Sequence, residues 1–366
     1  MIINKLVLNN FRSYSNLNIS FDKNINIIIG KNGSGKTNII ESIYLLGISK
    51  SFLTNNEDEL INFNSDYFFT RGMFIINEKN KVLEVSYKDN KKRLKINNTV
   101  VKKKSSYLSK LNVILFSSID LNIIKGQPND KRRFLNIELS QISNKYLNLV
   151  NIYNKILKQR NEYIKTIKNE KDIDYIYYEI ITNELINISK EIIYFRLEFI
   201  DNINKNLSKI YNKISLKNNK LEIKYISTLS YLESNELILI EYKKNIKNEI
   251  KYKTTNIGVH RDSFIINMDN KDINLYASSG QQRLVIIALK LVEIDIFKKK
   301  TNEYPIVLLD DVFSELDEVK QNLLIENLNY NIQVIMTTTD INNINHKLRK
   351  KSKVYIIENS QIKEEN

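Results

Sequence analysis

The chain has 366 residues, of which 42% are apolar and 27% charged, with no cysteine and no tryptophan. The missing thiols exclude a disulfide framework, a cysteine zinc site and a zinc hook, and make a reducing interior the natural compartment; only 8 glycines and 2 prolines exclude long flexible linkers. The formal charge of +14 suits a polyanionic partner, nucleic acid first, because basic patches displace counterions from a phosphate backbone, although a lysine-rich composition by itself also raises the charge.

The opening MIINKLVLNNF lacks the basic segment and apolar core of a secretion signal. No window reaches the 18 uncharged apolar residues of a membrane span, so a cytoplasmic protein is expected. Through the first 105 residues short apolar runs alternate with turns: IINKLVLNNF, NINIIIG, DYFFTRGMFIIN, KVLEVSYKD and KRLKIN. These predict a sheet-rich segment. From about 130 the period changes. Leu135, Leu139, Ile142, Tyr146, Leu149, Tyr153 and Ile156 make one helical stripe, predicting a helix that runs to about Lys168. A second stripe, Leu185, Ile188, Ile192, Phe195, Phe199, Ile203, Leu207 and Ile210, follows the polar turn NEKDID. Together they predict an antiparallel helical hairpin, roughly 45 Å a side at 1.5 Å per residue. A strand-like LEIKYIS and a helix over about 233–250 come next. From Thr254 the α/β pattern returns, and YPIVLLDDV and NIQVIMTTT read as buried parallel strands. The predicted division is an α/β lobe made of 1–115 and 254–366, split by a mainly helical lobe at 116–253.

GKNGSGKT, residues Gly30, Lys31, Asn32, Gly33, Ser34, Gly35, Lys36 and Thr37, fits GxxxxGK[ST] and sits between a predicted strand and helix. In that context backbone N–H groups cradle nucleotide phosphates at a helix N-terminus, Lys36 reaches the β and γ oxygens, and Thr37 ligates Mg²⁺. YPIVLLDD ends a strand in two carboxylates. Asp310 suits the acid that holds the Mg²⁺ shell, and Asp311 the group that orients or deprotonates the attacking water. SSGQQR, with Ser278, Gly280 and Gln281, precedes a long helix and forms a second phosphate-binding turn. One copy needs only one such loop, so the γ-phosphate is expected to be sandwiched between two copies. Arg132, Arg133, Arg261 and Arg283 stand out in a chain with 46 lysines and ten arginines. Their planar guanidinium suits phosphate or carboxylate recognition, or ion pairs that brace the lobes. His260 has no accompanying metal cluster and reads as a hydrogen-bonder.

SSGQQR followed by LLDDVFSELD resembles the signature, Walker-B and D-loop series of ABC-type ATPases in their SMC-like branch. FRSY, LFSSIDLNIIKGQPNDKRRFLN, GVHRD, YASSGQQR and QVIMTTTD further resemble the RecF family, in order and spacing across nearly the whole chain. The resemblance implies an ABC-type P-loop ATPase head split in sequence, with ATP and Mg²⁺ as cofactors. It implies Lys36 and Thr37 as nucleotide and metal ligands, Asp310 as the metal-shell acid, Asp311 as the catalytic carboxylate, and Ser278 with Gly280 as a contact made in trans. Asp317 corresponds to the D-loop acid, and one of Thr337 to Thr339 fills the switch position, where a hydroxyl in place of histidine fits slow hydrolysis. It also implies an ATP-dependent homodimer that closes on double- and single-stranded DNA at gaps and assists RecA loading with RecR and RecO. Leu53, Ser118, Ile119, Val259 and Ser263 depart from the family pattern, at positions tied to the coupling of DNA sensing to hydrolysis. A transporter ATPase subunit shares the ATP site, but the helical insertion and the basic charge argue against it. A scaffold with a relic P-loop is disfavoured by the presence of Lys36, Thr37, Asp310 and Asp311.

Overall fold

Four two-residue turns, Asn77–Glu78, Asp89–Asn90, Asn97–Asn98 and Asp269–Asn270, carry positive φ at both residues. This is the type I′ geometry whose twist matches the flanking strands, and Asn and Asp tolerate it best among side-chain-bearing residues. Three of these turns fold residues 67–100 into a meander. The computed structural model describes every residue except 230–232, 329–330, 342–343, 345, 359 and 366. Packing divides it into two units: Met1–Leu121 with Lys209–Asn218 and Ser278–Asn366, and Asn122–Ser208 with Asn219–Ala277.

The first unit contains two sheets. One is antiparallel, in the order Tyr14–Ser20, Ile2–Phe11, Tyr67–Ile76, Lys79–Lys88, Lys91–Ile96, Thr99–Val100. The other runs Gln361–Glu365, Ser352–Glu358, Ile25–Ile29, Val334–Thr338, Ile306–Leu309, Val113–Phe116. Its neighbours are parallel except for the edge strand Gln361–Glu365. The central runs IVLL and VIMTT are buried along their whole length, as strands covered on both faces must be. Helix Lys36–Ile48 packs against strands of both sheets. It is buried almost all round, which explains why KTNIIESIYLLGI shows no polar stripe.

In the second unit, strand Ser263–Met268 pairs antiparallel with Leu221–Ile226 and with Lys271–Asp272. Residues 254–277 therefore belong to this unit and not to the C-terminal part of the α/β lobe, because LEIKYIS needs Ser263–Met268 as its ladder partner. The helix expected to continue from about 130 to Lys168 is two helices, Pro128–Ile142 and Asn144–Thr166. Ser143 takes an extended conformation between them and its hydroxyl accepts from the Tyr146 N–H, an N-cap that starts a new helix. The second stripe lies on one 41-residue helix, Tyr175–Ser215. Arg160 and Glu249 form a fully buried ion pair at 2.8 Å. The guanidinium also donates to Thr182, Thr255 and Tyr178 and sits 4.9 Å from the ring centroids of both Tyr178 and Tyr242. Burying two charges costs several kcal/mol each, and only such complete pairing offsets it.

Candidate nucleotide site

The P-loop connects strand Ile25–Ile29 to helix Lys36–Ile48, at the carboxyl end of a parallel sheet where α/β folds bind ligands. Gly33 (φ +79°) and Gly35 (φ +101°) hold the left-handed geometry that turns the chain into the helix. At Gly35 a side chain is also sterically barred, since a Cβ would stand 2.7 Å from the Tyr14 hydroxyl. That hydroxyl donates to the Gly35 carbonyl at 3.1 Å and braces the loop from below. The Lys36 ammonium donates to the Gly30 and Lys31 carbonyls at 2.6 and 2.9 Å. Burial pulls its pKa down, and the neighbouring Asp311 and Asp310 charges oppose that shift. Ser34 Oγ is buried without a hydrogen-bond partner.

Asp310 and Asp311 follow strand Ile306–Leu309. Asp310 Oδ1 accepts from the Thr37 hydroxyl at 3.0 Å and the Thr337 hydroxyl at 2.8 Å. Burial raises the Asp310 pKa above its ordinary value, opposed by those two hydrogen bonds. Asp311 Oδ1 is buried without a partner. Thr37, Asp310, Asp311, Ser118 and Arg283 line a cavity of ≈ 300 Å³. Among the described residues no group of three or more His, Asp or Glu forms a self-sufficient metal cage. A hydroxyl, a buried carboxylate and an orphaned carboxylate oxygen fit a hard divalent cation that takes its remaining ligands from phosphate and water. The helix N-terminus and the buried lysine beside them fit the phosphates themselves.

The structure thus brings Lys36, Thr37, Asp310 and Asp311 together. Ser278, Gly280 and Gln281 stand apart, at the start of helix Ser279–Thr301. Ser278 and Gln281 close a reciprocal capping box, with bonds of 2.9 and 3.3 Å. Gly280 is exposed, with nothing within 4 Å of where a Cβ would be. Asp317 caps the helix Glu318–Asn327 through the Lys320 N–H at 3.0 Å and also pairs with the Lys320 ammonium. Of the three threonines, Thr337 is bonded to the two aspartates and Thr338 to the Asp340 backbone, and Thr339 is half-buried. Arg132 donates to the Asp262 carbonyl at 2.9 Å, whereas Arg261 is exposed. His260 is a hydrogen-bonder: its Nδ1 lies 2.6 Å from the Tyr153 hydroxyl and its Nε2 3.0 Å from the Thr255 carbonyl. Leu53 and Ile119 are exposed.

Two contributors lie in FRSY, a stretch that marks the resemblance without assigning either of them a role. Tyr14 stands 21 residues before Gly35, and only its place in FRSY sets it apart. Arg12 grips the buried Glu41 with bonds of 2.9 and 2.8 Å, a pairing between a turn and the P-loop helix that local pattern does not reveal.

A split α/β core with a P-loop, an acid pair at the end of the strand two places along the same sheet and a capped helix beginning SGQQR defines an ABC-type ATPase head. The family model for the RecF/RecN/SMC N terminal domain matches residues 2–363. The chain is 38% identical to the DNA replication and repair protein RecF of Ligilactobacillus salivarius over 100% of its own length and 98% of that protein. It is 33% identical to the RecF of Bacillus subtilis, covering 99% of this chain and 100% of that one. The solved structure of the recombination mediator protein RecF with ATP superposes with a TM-score of 0.91 at 29% identity, covering 100% of this chain and 98% of the other. An Smc head bound to the C-winged helix domain of ScpA shares the fold at a TM-score of 0.57 and 17% identity. The chain belongs to the RecF family of SMC-like ABC ATPase heads.

Proposed function

We propose that this protein is a cytoplasmic, ATP-dependent DNA-binding switch of recombinational repair and replication, acting as a homodimer at gaps and single-strand/double-strand junctions. The observation that carries this reading is the convergence of Thr37, Asp310 and Asp311 on one cavity, with the Lys36 ammonium close enough to feel both carboxylates, in a chain that matches RecF proteins end to end. Lys36 holds the β and γ oxygens of ATP, Thr37 and Asp310 hold Mg²⁺ directly or through its water shell, and Asp311 takes the proton of the attacking water. When bound, MgATP supplies the anhydride whose hydrolysis resets the switch.

The turn at Ser278, Ser279 and Gly280 is exposed, and the Ser278 and Gln281 side chains accept from each other's backbone N–H groups, so the helix N-terminus faces outward. That suits completion of a second protomer's site, with ATP bridging the two copies. No described helix is long and apolar enough to cross a membrane, and the charge of +14 supplies a basic surface for DNA. Closure holds DNA and slow, DNA-stimulated hydrolysis releases it. RecR and RecO are the expected partners in helping RecA displace single-strand binding protein.

The deciding experiment measures binding to gapped, single-stranded and duplex DNA with ATP, ADP and no nucleotide, alongside light scattering. ATP should produce the dimer and strengthen binding to gapped DNA. Asp311→Asn should trap that state, and Lys36→Met should lose it. Equal binding under all three nucleotide conditions refutes the switch.

A further inference from the structure

We propose that Thr337 is a positioning residue for hydrolysis: its hydroxyl pins the Asp310–Asp311 peptide and sets the direction of the Asp311 carboxylate. This deepens the ATPase reading above and rests on it. The resemblance places the switch position at one of Thr337 to Thr339, but Thr337 is 1% exposed and its hydroxyl is spent on protein atoms. It accepts the Asp311 N–H at 2.9 Å. Its Oγ1, with one proton to donate, lies 2.8 Å from Asp310 Oδ1 against 3.5 Å from the Leu309 carbonyl oxygen, so the bond to the carboxylate dominates.

The register makes this contact possible. Leu309 pairs with Met336 in the parallel ladder, which sets the next residues of each strand, Asp310 and Thr337, side by side. The Asp310 N–H still bonds the Phe116 carbonyl of the other neighbouring strand at 2.9 Å. One residue later the chain leaves the sheet, and the Asp311 N–H goes to a side chain.

Asp311 adopts φ +54°. Several other positive-φ residues sit in the hairpin turns described above, where the strand twist favours that geometry. Asp311 instead ends a buried parallel strand, where an extended residue is the default. Aspartate tolerates the left-handed region better than longer or branched side chains, and Thr337 supplies the bond that holds it there. Asp311 lines the cavity, and its Oδ1 is left buried with no partner of its own. During hydrolysis the water oxygen bonds to the γ-phosphorus, the bond to the departing ADP oxygen breaks, and the water proton passes to this carboxylate.

The test compares Thr337→Val, which keeps the branched shape and removes the hydroxyl, with Thr337→Ser, which keeps the hydroxyl. Two readouts are needed. Amide hydrogen exchange of the nucleotide-free protein should show faster exchange at Asp311 in Thr337→Val and wild-type protection in Thr337→Ser. Single-turnover hydrolysis should fall on the order of 10- to 100-fold in Thr337→Val, the usual cost of a small misplacement, with unchanged MgATP affinity and recovery in Thr337→Ser. Wild-type exchange and a rate within twofold of wild type in Thr337→Val would overturn the proposal. So would a loss of MgATP affinity that accounts for the whole rate defect, or failure of Thr337→Ser to recover. If the wild-type protein itself hydrolyses no ATP, the ATPase reading falls, and the exchange measurement still decides whether Thr337 pins the peptide.

Discussion

The Arg160–Glu249 pair of the second unit and the Asp310–Asp311 pair of the first both bury charge, and they treat it in opposite ways. Around Arg160 the charge is fully answered, by Glu249, two threonine hydroxyls, a tyrosine hydroxyl and two tyrosine faces. Around Asp310 two hydroxyls answer one carboxylate oxygen, the carboxyl pKa is raised by burial, and an oxygen of the next aspartate is left over. A saturated network fixes shape, whereas an unsaturated one stores the capacity to bind. Mutations should therefore act with opposite sign in the two places.

The largest effect is expected at Glu249. Glu249→Gln removes the counter-charge and leaves Arg160 buried without its anion, which typically costs about 3–5 kcal/mol. Urea denaturation followed by circular dichroism measures it. The double replacement Arg160→Met with Glu249→Leu should recover most of that loss, because a buried pair exchanged for packed apolar groups is often neutral. If Glu249→Gln costs less than about 1 kcal/mol, well below the range for a broken buried pair, the network is not the brace described here.

Acid should strike the same unit next. Burial, with the nearby Arg261, Arg132 and Arg160 charges, pulls the His260 pKa down to about 4 from its ordinary 6.5, against a smaller opposing contribution from the Thr255 carbonyl. The folded protein thus favours the neutral ring. Its contribution is complete above pH 6.5 and is lost as the pH falls toward 4. At 1.36 kcal/mol per pKa unit the loss approaches about 3 kcal/mol. Burial-raised carboxyls in the first unit, Asp120 and Asp310, have the reverse sign, since their contribution is lost as pH rises through their folded values. Urea midpoints between pH 7 and 4.5 should fall more steeply for wild type than for His260→Gln; parallel slopes would remove His260 from the account.

Legibility in the sequence follows the same division. GKNGSGKT is one contiguous octet whose conformation depends on its own glycines, so its place between strand and helix is legible from spacing alone. The hydrophobic run ending in Asp310 and Asp311 was readable for a similar reason. The Thr337 contact was not, because it depends on which strands are neighbours, and the parallel pairing of Ile306–Leu309 with Val334–Thr338 leaves no local trace. Strand Tyr14–Ser20 escaped notice because YSNLNIS alternates mostly polar residues around Leu17 and Ile19. The break at Ser143 was hidden for the opposite reason: Leu139, Tyr146 and Leu149 are all buried, so the apolar stripe continues in phase across it.

The smallest effect tests the comparison most directly, because its sign differs from the others. Asp310→Asn removes a charge that the fold buries at a cost, while its amide oxygen can still accept from Thr37 and Thr337. It also removes the like charge beside Asp311, one of the causes that raise the Asp310 pKa. The nucleotide-free variant should therefore be more stable than wild type by roughly 0.5–2 kcal/mol, the size common for a single stabilising substitution. The same substitution should abolish the magnesium-dependent part of the nucleotide-induced thermal shift, since an amide is a poor ligand for Mg²⁺ or its water shell. Both measurements come from one set of melts, with and without MgATP. A variant less stable without nucleotide would place Asp310 with Glu249 as a structural charge; a variant more stable yet still shifted fully by MgATP would move the metal's anchor to another residue. Gain without ligand and loss with it is the signature of a group the fold carries for the nucleotide.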